Sequence, residues 1–440
     1  MDHRFFFLII FGLFWLICKI ARFGRRDEKL PPGPPTIPIL GNIHLLPLQF
    51  PFLKFTEWAK EYGGIISLKV ANGTVIIISD MTIVKELLDE RSHETSSRPS
   101  LYAADVVTDK NYFALATSDS HIWKIGRKVV QPLMAPQAVQ AHLPVVDVET
   151  RQLLYDILHH PEEFCSHVSR ATLSFVTSVV FGKPTPRHGS TEASLFRAYM
   201  RHFSRTVAPA AAPVDLVPLL KYVPERLAPW KQLWRTTRQL QKSLYFSLLE
   251  YAEERISTGH RNGSLVESII DKQVELGYIG GIMLDGAETS ASLIQSLVLC
   301  LIDSPESLRK AQDETDNVLG DLRFPAAHDI QSLPYVQAMI KEVHRLRPAG
   351  PAGIPHATRE DCQYRGYTIP KGTPILTNVW GIFHNPDLFE RPEEFWPERC
   401  LLTPDGTKPG LEKGYTICLS LPFGSDKVED GSLLPFPPID

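Results

Sequence analysis

The chain has 440 residues, of which 43% are hydrophobic and 22% are charged, and its formal net charge is -4. This composition allows a large buried core, and the lack of a strongly basic segment argues against a nucleic-acid partner. The six cysteines are scattered and form no C-x-x-C pair, which argues against a cysteine zinc site, a dithiol redox motif and a disulfide scaffold. We expect a reduced, cytosol-facing protein and assign no metal-ligating residue.

The N-terminus begins with an apolar run over residues 5–18, which continues past Lys19 to Phe23. A bilayer core needs about 20 helical residues, so this segment can span it if Lys19 snorkels. The alternative is a cleaved signal peptide, but no A-x-A-like site follows, and most positive charges come after the run. We predict a single transmembrane helix over residues 1–23 that anchors a cytosolic domain in the endoplasmic reticulum. A basic, proline-rich elbow over residues 24–35 follows it.

The globular part reads as mainly α with a minor β-sheet. Asn72-Gly73 interrupts two β-rich runs within residues 65–80 and predicts a hairpin. Short strands are expected at 363–369 and 374–377. Apolar periodicity predicts helices over 122–133, 143–160, 164–181, 231–258, 282–302, 305–320 and 333–346. No convincing domain boundary interrupts residues 36–425.

Two charged motifs stand about fifty residues apart. In "KEVHRLRP", Glu342 and Arg345 lie one helical turn apart and can form an ion pair. Arg399, in "FWPERC", can join them. Such pairs are common on protein surfaces, whereas a buried Glu–Arg–Arg cluster would have to satisfy every charge and so hold one arrangement.

A Trp and an Arg share one predicted helix in "HIWKIGRKVV". Trp123 and Arg127 are four residues apart, so an indole N–H and a guanidinium on one face can both donate to a carboxylate or phosphate. A core Trp beside a solvated Arg is the structural alternative.

Polar residues also interrupt a long apolar helix in "IMLDGAETSASLIQSLVLCLI". Gly286, Glu288 and Thr289 are costly there without a purpose. The Thr289 hydroxyl can bond back to a carbonyl one turn earlier and open the helix locally, leaving room for a water or small ligand near Glu288. A helix bend without function explains the same residues.

Taken in order, these motifs resemble a microsomal cytochrome P450 from the N-terminus to Ser425, and their style is most similar to fungal members of secondary metabolism. The signatures of a nucleophile elbow, an H-E-x-x-H metalloprotease and a P-loop are missing from the sequence. The resemblance implies the mainly α cytochrome P450 fold, with haem b between the Glu288–Thr289 helix and a loop near the C-terminus.

The resemblance also assigns cofactor-binding roles. Trp123 and Arg127 match positions that hold a haem propionate. His356, in "IPHATRE", matches a further propionate contact, although a loop histidine of the minor sheet is the plain alternative. Glu342, Arg345 and Arg399 match the structural triad that supports the haem-binding core.

Catalysis and partners follow from the same resemblance. Glu288 and Thr289 match the acid–alcohol pair that delivers protons while dioxygen is cleaved and one oxygen atom enters a C–H bond. Electrons would come from a membrane-bound NADPH–cytochrome P450 reductase, and membrane lipid would surround the anchor. The expected substrate is an apolar small molecule, recognised by the loop around residues 99–121 and by residues 195–230.

The C-terminus departs from the family. The segment that Phe423 opens should continue F-x-x-G-x-R-x-C-x-G, with its Cys as the axial haem ligand. Those four positions hold Asp426, Val428, Asp430 and Ser432, and the last cysteine of the chain, Cys418, precedes Phe423. We therefore find no axial Cys and predict a catalytic domain over 36–425 that lacks the haem-ligand loop, followed by an aberrant tail over 426–440.

A second departure lies before the long helix. Leu276-Gly277 runs directly into Tyr278 as if a short segment were missing, and Asp285 stands where the family prefers Ala or Gly. Two abrupt seams favour altered splicing or a shifted reading frame over gradual drift. The chain is interpreted as a monooxygenase by family, but without a thiolate ligand we expect this literal sequence to have no normal monooxygenase activity. The alternatives are a non-catalytic remnant that binds haem weakly or not at all, and a membrane-tethered scaffold.

Overall fold

The structure is a computed structural model that describes Trp15 and residues 23–47, 49–99, 101–112, 120–207, 214–215, 217–270, 275–320 and 323–411, with the backbone alone for 275–277. The predicted membrane anchor lies outside these residues except for Trp15 and Phe23, and the predicted tail over 426–440 lies wholly outside them. Within the described part of the chain, no helix combines the length and the apolar character needed to cross a bilayer.

Helices make up most of the described chain. The α-helices are α1 (Pro51–Tyr62), α2 (Met81–Val84, continued by a π-helical stretch Lys85–Glu90), α3 (Ser92–Thr95), α4 (Tyr102–Thr108), α5 (His121–Val130), α6 (Pro136–His159), α7 (Phe164–Phe181), α8 (Thr191–Val207), α9 (Pro229–Ser257), α10 (Leu265–Ile269), α11 (Glu275–Asp303), α12 (Pro305–Leu319), α13 (Pro334–Leu346), α14 (Val379–Phe383) and α15 (Arg399–Leu402). Short 3₁₀ turns are Ile43–Leu45, Gln131–Met134, Pro161–Glu163, Pro218–Tyr222, Glu225–Leu227 and Ala327–Ser332.

The strands form two small sheets. They are β1 (Ile65–Val70), β2 (Gly73–Ile78), β3 (His356–Ala357), β4 (Cys362–Tyr364), β5 (Tyr367–Ile369) and β6 (Pro374–Thr377). The larger sheet has the order β1-β2-β6-β3, in which β2 and β6 are parallel and the other pairs antiparallel. β4 and β5 form a separate hairpin. The prediction of a mainly α protein with a minor sheet is therefore confirmed.

The β1–β2 hairpin is buried on both faces, which explains its nearly continuous run of β-branched residues. On one face Ile66 and Ile77 pack with Phe55 and Trp58 of α1, because these side chains form one core cluster. On the other face the sheet packs against α2 and α14. The hairpin prediction is confirmed, but its turn is one residue earlier than the sequence predicts. The turn consists of Ala71 and Asn72, and Gly73 is already the first residue of β2, where it pairs with Val70 of β1.

A proline explains why α6 begins seven residues earlier than the sequence predicts. The pattern predicts a helix from 143, just before Pro144, but α6 begins with Pro136 at its first position and continues through Pro144. A proline at the first turn is favourable because its missing N–H has no helical partner there, whereas Pro144 removes one hydrogen bond from the interior.

The main helical core lies where α7, α8, α9 and α11 meet, and its buried side chains form one apolar cluster. Gly281 of α11 allows the closest approach, because a Cβ built on it would lie 2.2 Å from ring atoms of Tyr245 on α9. Tyr245 is fully buried and cannot easily yield. By contrast, a Cβ at Gly286, five residues along the same helix, meets no described atom within 4 Å.

These two glycines provide a matched test of the packing. We expect Gly281→Ala to destabilise the fold by about 1–3 kcal/mol, because the added methyl group overpacks the α9–α11 contact. Gly286→Ala should be neutral or stabilising by up to about 1 kcal/mol, since it improves helix propensity in open space. Thermal unfolding of both variants measures the difference, and equal midpoints would contradict this packing.

Candidate active site

The predicted Glu–Arg–Arg triad is present and buried. Glu342 on α13 is 0% exposed and receives the Arg345 guanidinium at 2.9 Å (Nε to Oε2) and 2.8 Å (Nη2 to Oε1). Arg399, at the start of α15, donates Nε–H to Oε1 at 3.1 Å, and the backbone N–H of Trp396 donates to the same oxygen at 3.1 Å. The surface-pair alternative is therefore wrong, and the three side chains form one cluster.

The arginines use their remaining N–H groups to hold the backbone between α14 and α15. Arg345 donates to the carbonyl oxygens of Phe383 and Pro392, both at 2.7 Å. Arg399 donates to the carbonyls of Glu390 and Arg391, the latter at 3.0 Å. Burial lowers the pKa of Arg399, and the charge of Glu342 opposes that shift. The cluster thus fixes an otherwise irregular segment of chain.

Trp123 and Arg127 lie side by side on α5. Ser120 caps this helix by accepting the backbone N–H of Trp123 at 3.3 Å. The Arg127 guanidinium carbon is 5.5 Å from the centre of the indole ring, and both side chains are half-buried. This cation–π contact places the two side chains on the same side of the helix, as the spacing predicts.

His356 lies on a different element. It is 3% exposed on β3 and pairs across the sheet with Ile375 of β6. Arg98 approaches the same strand and donates to the carbonyl oxygen of Pro355 at 2.9 Å. The position of His356 in the minor sheet matches the plain alternative, and its contact with a propionate stays a prediction.

The acid–alcohol pair lies on an open stretch of α11. The Thr289 hydroxyl donates to the Gly286 carbonyl at 2.9 Å, which confirms the predicted bond to the preceding turn, although the helix continues unbroken. Glu288 and Thr289 are both exposed. The protein mass around Glu288 partly desolvates its carboxyl group and raises the pKa. Among the described residues, no atom lies within 4 Å of a Cβ built on Gly286, so this stretch of α11 is not packed against another described element.

A polar cluster that the sequence does not indicate lies one turn before this pair. Tyr112, Tyr199 and Tyr245 direct their hydroxyls to the Asp285 carboxylate, at 3.2, 3.3 and 3.1 Å respectively. Gln241 donates to the Tyr199 hydroxyl at 3.0 Å. These residues come from four separate parts of the chain, so the sequence does not predict their contacts. The one indication is Asp285 itself, which stands where the family prefers Ala or Gly.

The cluster leaves Asp285 with an unusual proton affinity. Burial raises its pKa from 3.8 to about 7, and the hydrogen bonds from the tyrosines offset only part of this effect. Near neutral pH the carboxyl group therefore exchanges between two charge states within the protein. The pKa values of the three tyrosines are raised well above 10, chiefly by burial, so their hydroxyls remain donors.

A second acidic residue, Asp109, anchors the 101–112 segment that carries Tyr112. Asp109, just after α4, accepts a hydrogen bond from the Tyr278 hydroxyl at 2.9 Å and pairs with Lys242 at 3.0 Å and with Arg238. Burial would raise the pKa of Asp109, but its bonds to Lys242 and Tyr278 and the charge of Arg238 lower it overall. Asp109 and Tyr112 together tie the end of the 101–112 segment to α9 and α11.

Three of the four cysteines among the described residues do not provide a ready thiolate; the fourth, Cys165, is exposed near the start of α7. Burial raises the pKa of Cys300, raises that of Cys362 to about 11 and raises that of Cys400 to about 12. These three thiols stay protonated at neutral pH, whereas a thiolate is the form that ligates iron. Cys18 and Cys418 lie outside the described residues, and the absence of an axial Cys stays a prediction.

Comparison with known proteins adds an independent line of evidence. The family model described as Cytochrome P450 matches residues 31–425. A cytochrome P450 monooxygenase of Armillaria gallica is 38% identical over 430 residues, covering 94% of this chain and 82% of that protein. The cytochrome P450 monooxygenase patI of Penicillium expansum is 36% identical over 412 residues, covering 91% and 77%. A third relative, atE of Aspergillus terreus, is 36% identical over 395 residues, covering 87% and 74%.

The buried triad generates the first prediction of this site. Glu342→Gln removes the only negative charge between two buried guanidinium groups, so we expect a loss of about 3–5 kcal/mol in unfolding free energy. Glu393→Gln is the control, because Glu393 is 70% exposed and its carboxylate lies 3.9 Å from His384, whose pKa burial lowers to about 4, so that this ring is neutral near pH 7. Unfolding midpoints measure both variants. Equal stability of the two would show that the triad does not hold the fold.

The raised pKa of Asp285 generates a pH-dependent prediction. A carboxyl group that binds its proton more tightly in the folded state destabilises the fold as pH rises from about 4 to 7. The stability of the wild-type protein relative to Asp285→Asn should therefore fall between pH 5 and pH 8, by up to about 3 kcal/mol.

Asp109→Asn is the matched control for this experiment. The lowered pKa of Asp109 places its titration below pH 4, so its stabilising contribution is lost only in acid. The stability difference between wild type and Asp109→Asn should therefore stay constant from pH 5 to pH 8. A constant difference for Asp285→Asn as well would contradict the assigned pKa.

Proposed function

Because the chain belongs to the cytochrome P450 family, we propose that it is a haem-dependent monooxygenase that inserts one oxygen atom into a C–H bond of an apolar small molecule. The observation that carries this proposal is the Glu288–Thr289 pair on the open face of α11. Relatives from Armillaria, Penicillium and Aspergillus support a fungal enzyme, for which we propose a secondary-metabolite pathway.

The propionate side of a haem fits the residues present. Trp123 and Arg127 present an indole N–H and a guanidinium from one side of α5, and these two donors would hold a propionate carboxylate by charge-assisted hydrogen bonds. The open face beside Gly286 would accept the flat ring. When bound, haem b supplies the activation of dioxygen, and the protein supplies position and electrostatics.

The acid–alcohol pair would hold and move protons at this face. Because the Thr289 hydroxyl hydrogen points to the Gly286 carbonyl, its oxygen lone pairs remain able to accept a hydrogen bond from a reacting group or water. The raised pKa of Glu288 increases its protonated fraction near neutral pH, which suits a proton donor. Glu288 and Thr289 are consecutive residues of α11, and both are exposed to the same open stretch of the helix surface.

The partners follow from the family. We propose that a membrane-bound NADPH–cytochrome P450 reductase supplies the electrons and that the N-terminal anchor holds this chain at the same endoplasmic reticulum membrane. The basic residues of the 24–35 elbow would lie on the cytosolic side of the lipid. Within the described part of the elbow, Arg26 binds the carbonyls of Gly33 and Pro34 and the Ser67 hydroxyl of β1, so the elbow packs on the sheet.

A second candidate is a non-catalytic relative that retains the fold. The observation that favours it is the mismatch at the four positions after Phe423, which leaves the sequence without a cysteine at the place of the family's ligand. In such a protein any haem would depend on the propionate contacts and on apolar walls.

One spectrum separates the two candidates. The full 440-residue chain is expressed with haem supplied, reduced and exposed to carbon monoxide. The monooxygenase proposal predicts the long-wavelength Soret band typical of thiolate ligation, and the absence of this band would support the non-catalytic relative instead.

A matched pair of variants identifies the ligand if the band appears. Cys418 is the cysteine nearest in sequence to the family's ligand segment, so Cys418→Ser should abolish the band. Cys400→Ser is the control and should retain it, because burial keeps that thiol protonated. Sequencing the transcript across residues 270–290 and 420–440 tests whether the two seams belong to the protein.

A further inference from the structure

A histidine-rich cluster lies outside the proposed haem site, at the start of α7. Glu163, His167 and His188 each offer one potential ligand atom, and these three atoms lie within 4.8 Å of one another. Glu163 and His167 are four residues apart and so share one face of the turn that begins α7. His188 comes from the 182–190 connection to α8, and its Nε2 is 2.7 Å from Oε2 of Glu163.

His167 is prepared to act as a ligand. Its ring is 2% exposed, and its Nε2 lies 2.9 Å from the carbonyl oxygen of His160. A carbonyl can only accept, so Nε2 carries the proton, and the neutral ring has a bare lone pair on Nδ1. Nδ1 is buried without a hydrogen-bond partner among the described residues. Metal-ligating histidines characteristically donate their other ring N–H to a carbonyl in this way.

The loop that carries His188 is fixed independently of the cluster. The backbone N–H of Thr185 donates to the Ser174 hydroxyl at 2.7 Å. Arg187, the residue before His188, binds Asp156 of α6 at 3.2 Å. The two imidazole rings then meet edge to face, with their centres 5.3 Å apart. The position of His188 therefore does not depend on its ion pair with Glu163.

We propose that Glu163, His167 and His188 bind a Zn²⁺ ion that joins the start of α7 to the connection leading into α8. Two imidazole nitrogens and one carboxylate oxygen are a donor set that suits zinc, whereas calcium and magnesium prefer oxygen alone. Bonds of about 2.0–2.2 Å to a common ion would bring the ligand atoms to within about 3.5 Å of one another, so only small side-chain shifts are needed.

The site is also reachable from solvent. The side chains of Glu163 and His188 are 44% and 35% exposed, while His167 forms the buried floor. A water molecule would complete the tetrahedral shell on the exposed side, as in other sites with three protein ligands.

The test uses zinc binding and needs no haem, so it is independent of the proposed oxygenase activity. The full chain, purified without a histidine tag and stripped with a chelator, is titrated with ZnCl₂ by calorimetry. We expect one equivalent to bind, and the unfolding midpoint should rise by about 3 °C at a hundredfold excess over Kd. Replacement of zinc by Co²⁺ should give the visible absorption bands of a tetrahedral site with nitrogen ligands.

Neighbouring residues provide the matched controls. Glu163→Gln and His188→Ala should each weaken zinc binding at least tenfold, because each removes a ligand. Both side chains are partly exposed, so these variants should fold even if a change at the buried His167 does not. Glu162→Gln alters the adjacent glutamate, which is 68% exposed, and should leave the affinity unchanged.

Three results would overturn the proposal. They are the absence of a zinc-dependent shift in the unfolding midpoint, unchanged affinity in both Glu163→Gln and His188→Ala, and equal weakening by Glu162→Gln. The last result would indicate diffuse binding to the helix terminus, and the first two would leave Glu163 and His188 as an ordinary ion pair.

Discussion

The buried carboxylate of Glu342 is the interaction on which much of the C-terminal half depends. It neutralises two guanidinium groups that water cannot reach, and those groups in turn bind five backbone carbonyls from Phe383 to Glu394. A segment with little regular structure has few other means of holding one shape. Because a buried charge without its partner is so unfavourable, the three side chains and the loop must assemble together. A hydrophobic cluster of the same size could be as stable, but it could not bind five backbone carbonyls.

Helix α11 combines two opposite requirements on its two sides. At Gly281 it approaches α9 so closely that even one methyl group would clash, whereas at Gly286 it borders open space. Between these glycines, Asp285 gathers hydroxyls from α8, α9 and the 101–112 segment. Its polar cluster thus lies between the packed core and the proposed reaction face. A carboxyl group whose pKa is near neutral at this point makes the charge beside that face sensitive to its surroundings.

Local patterns predicted the elements that depend on nearby residues. The E-x-x-R spacing, the Trp123–Arg127 pair and the β-hairpin follow from helical and strand periodicity, and the structure brings each together as expected. The turn residue was missed by one position, since Gly73 pairs in β2 while Ala71 adopts a positive φ of 52°. Among the longer-range contacts, the sequence indicated that Arg399 can join the Glu342–Arg345 pair, but it did not indicate the contacts made by Asp285 and His167.

The clusters around Asp285 and His167 show why. The three tyrosines that bind Asp285 precede it by between 40 and 173 residues, and no spacing rule connects them. His188 likewise meets His167 only because Thr185 and Arg187 hold the intervening loop against α6 and α7. Both clusters arise from tertiary packing, which brings together residues that are individually unremarkable in the sequence.

The parallel pairing of β2 with β6 has a consequence for how the chain is made. Ile76 pairs with Ile375, about 300 residues later, so the sheet cannot close until most of the polypeptide has left the ribosome. At typical rates of synthesis that delay is roughly 15–60 s. Throughout it, the Ile76–Ile78 edge offers unpaired backbone groups in a strongly β-prone sequence, which other nascent chains could join. Protection of this edge by a chaperone, rather than the final stability of the fold, would then limit how much soluble protein a cell recovers.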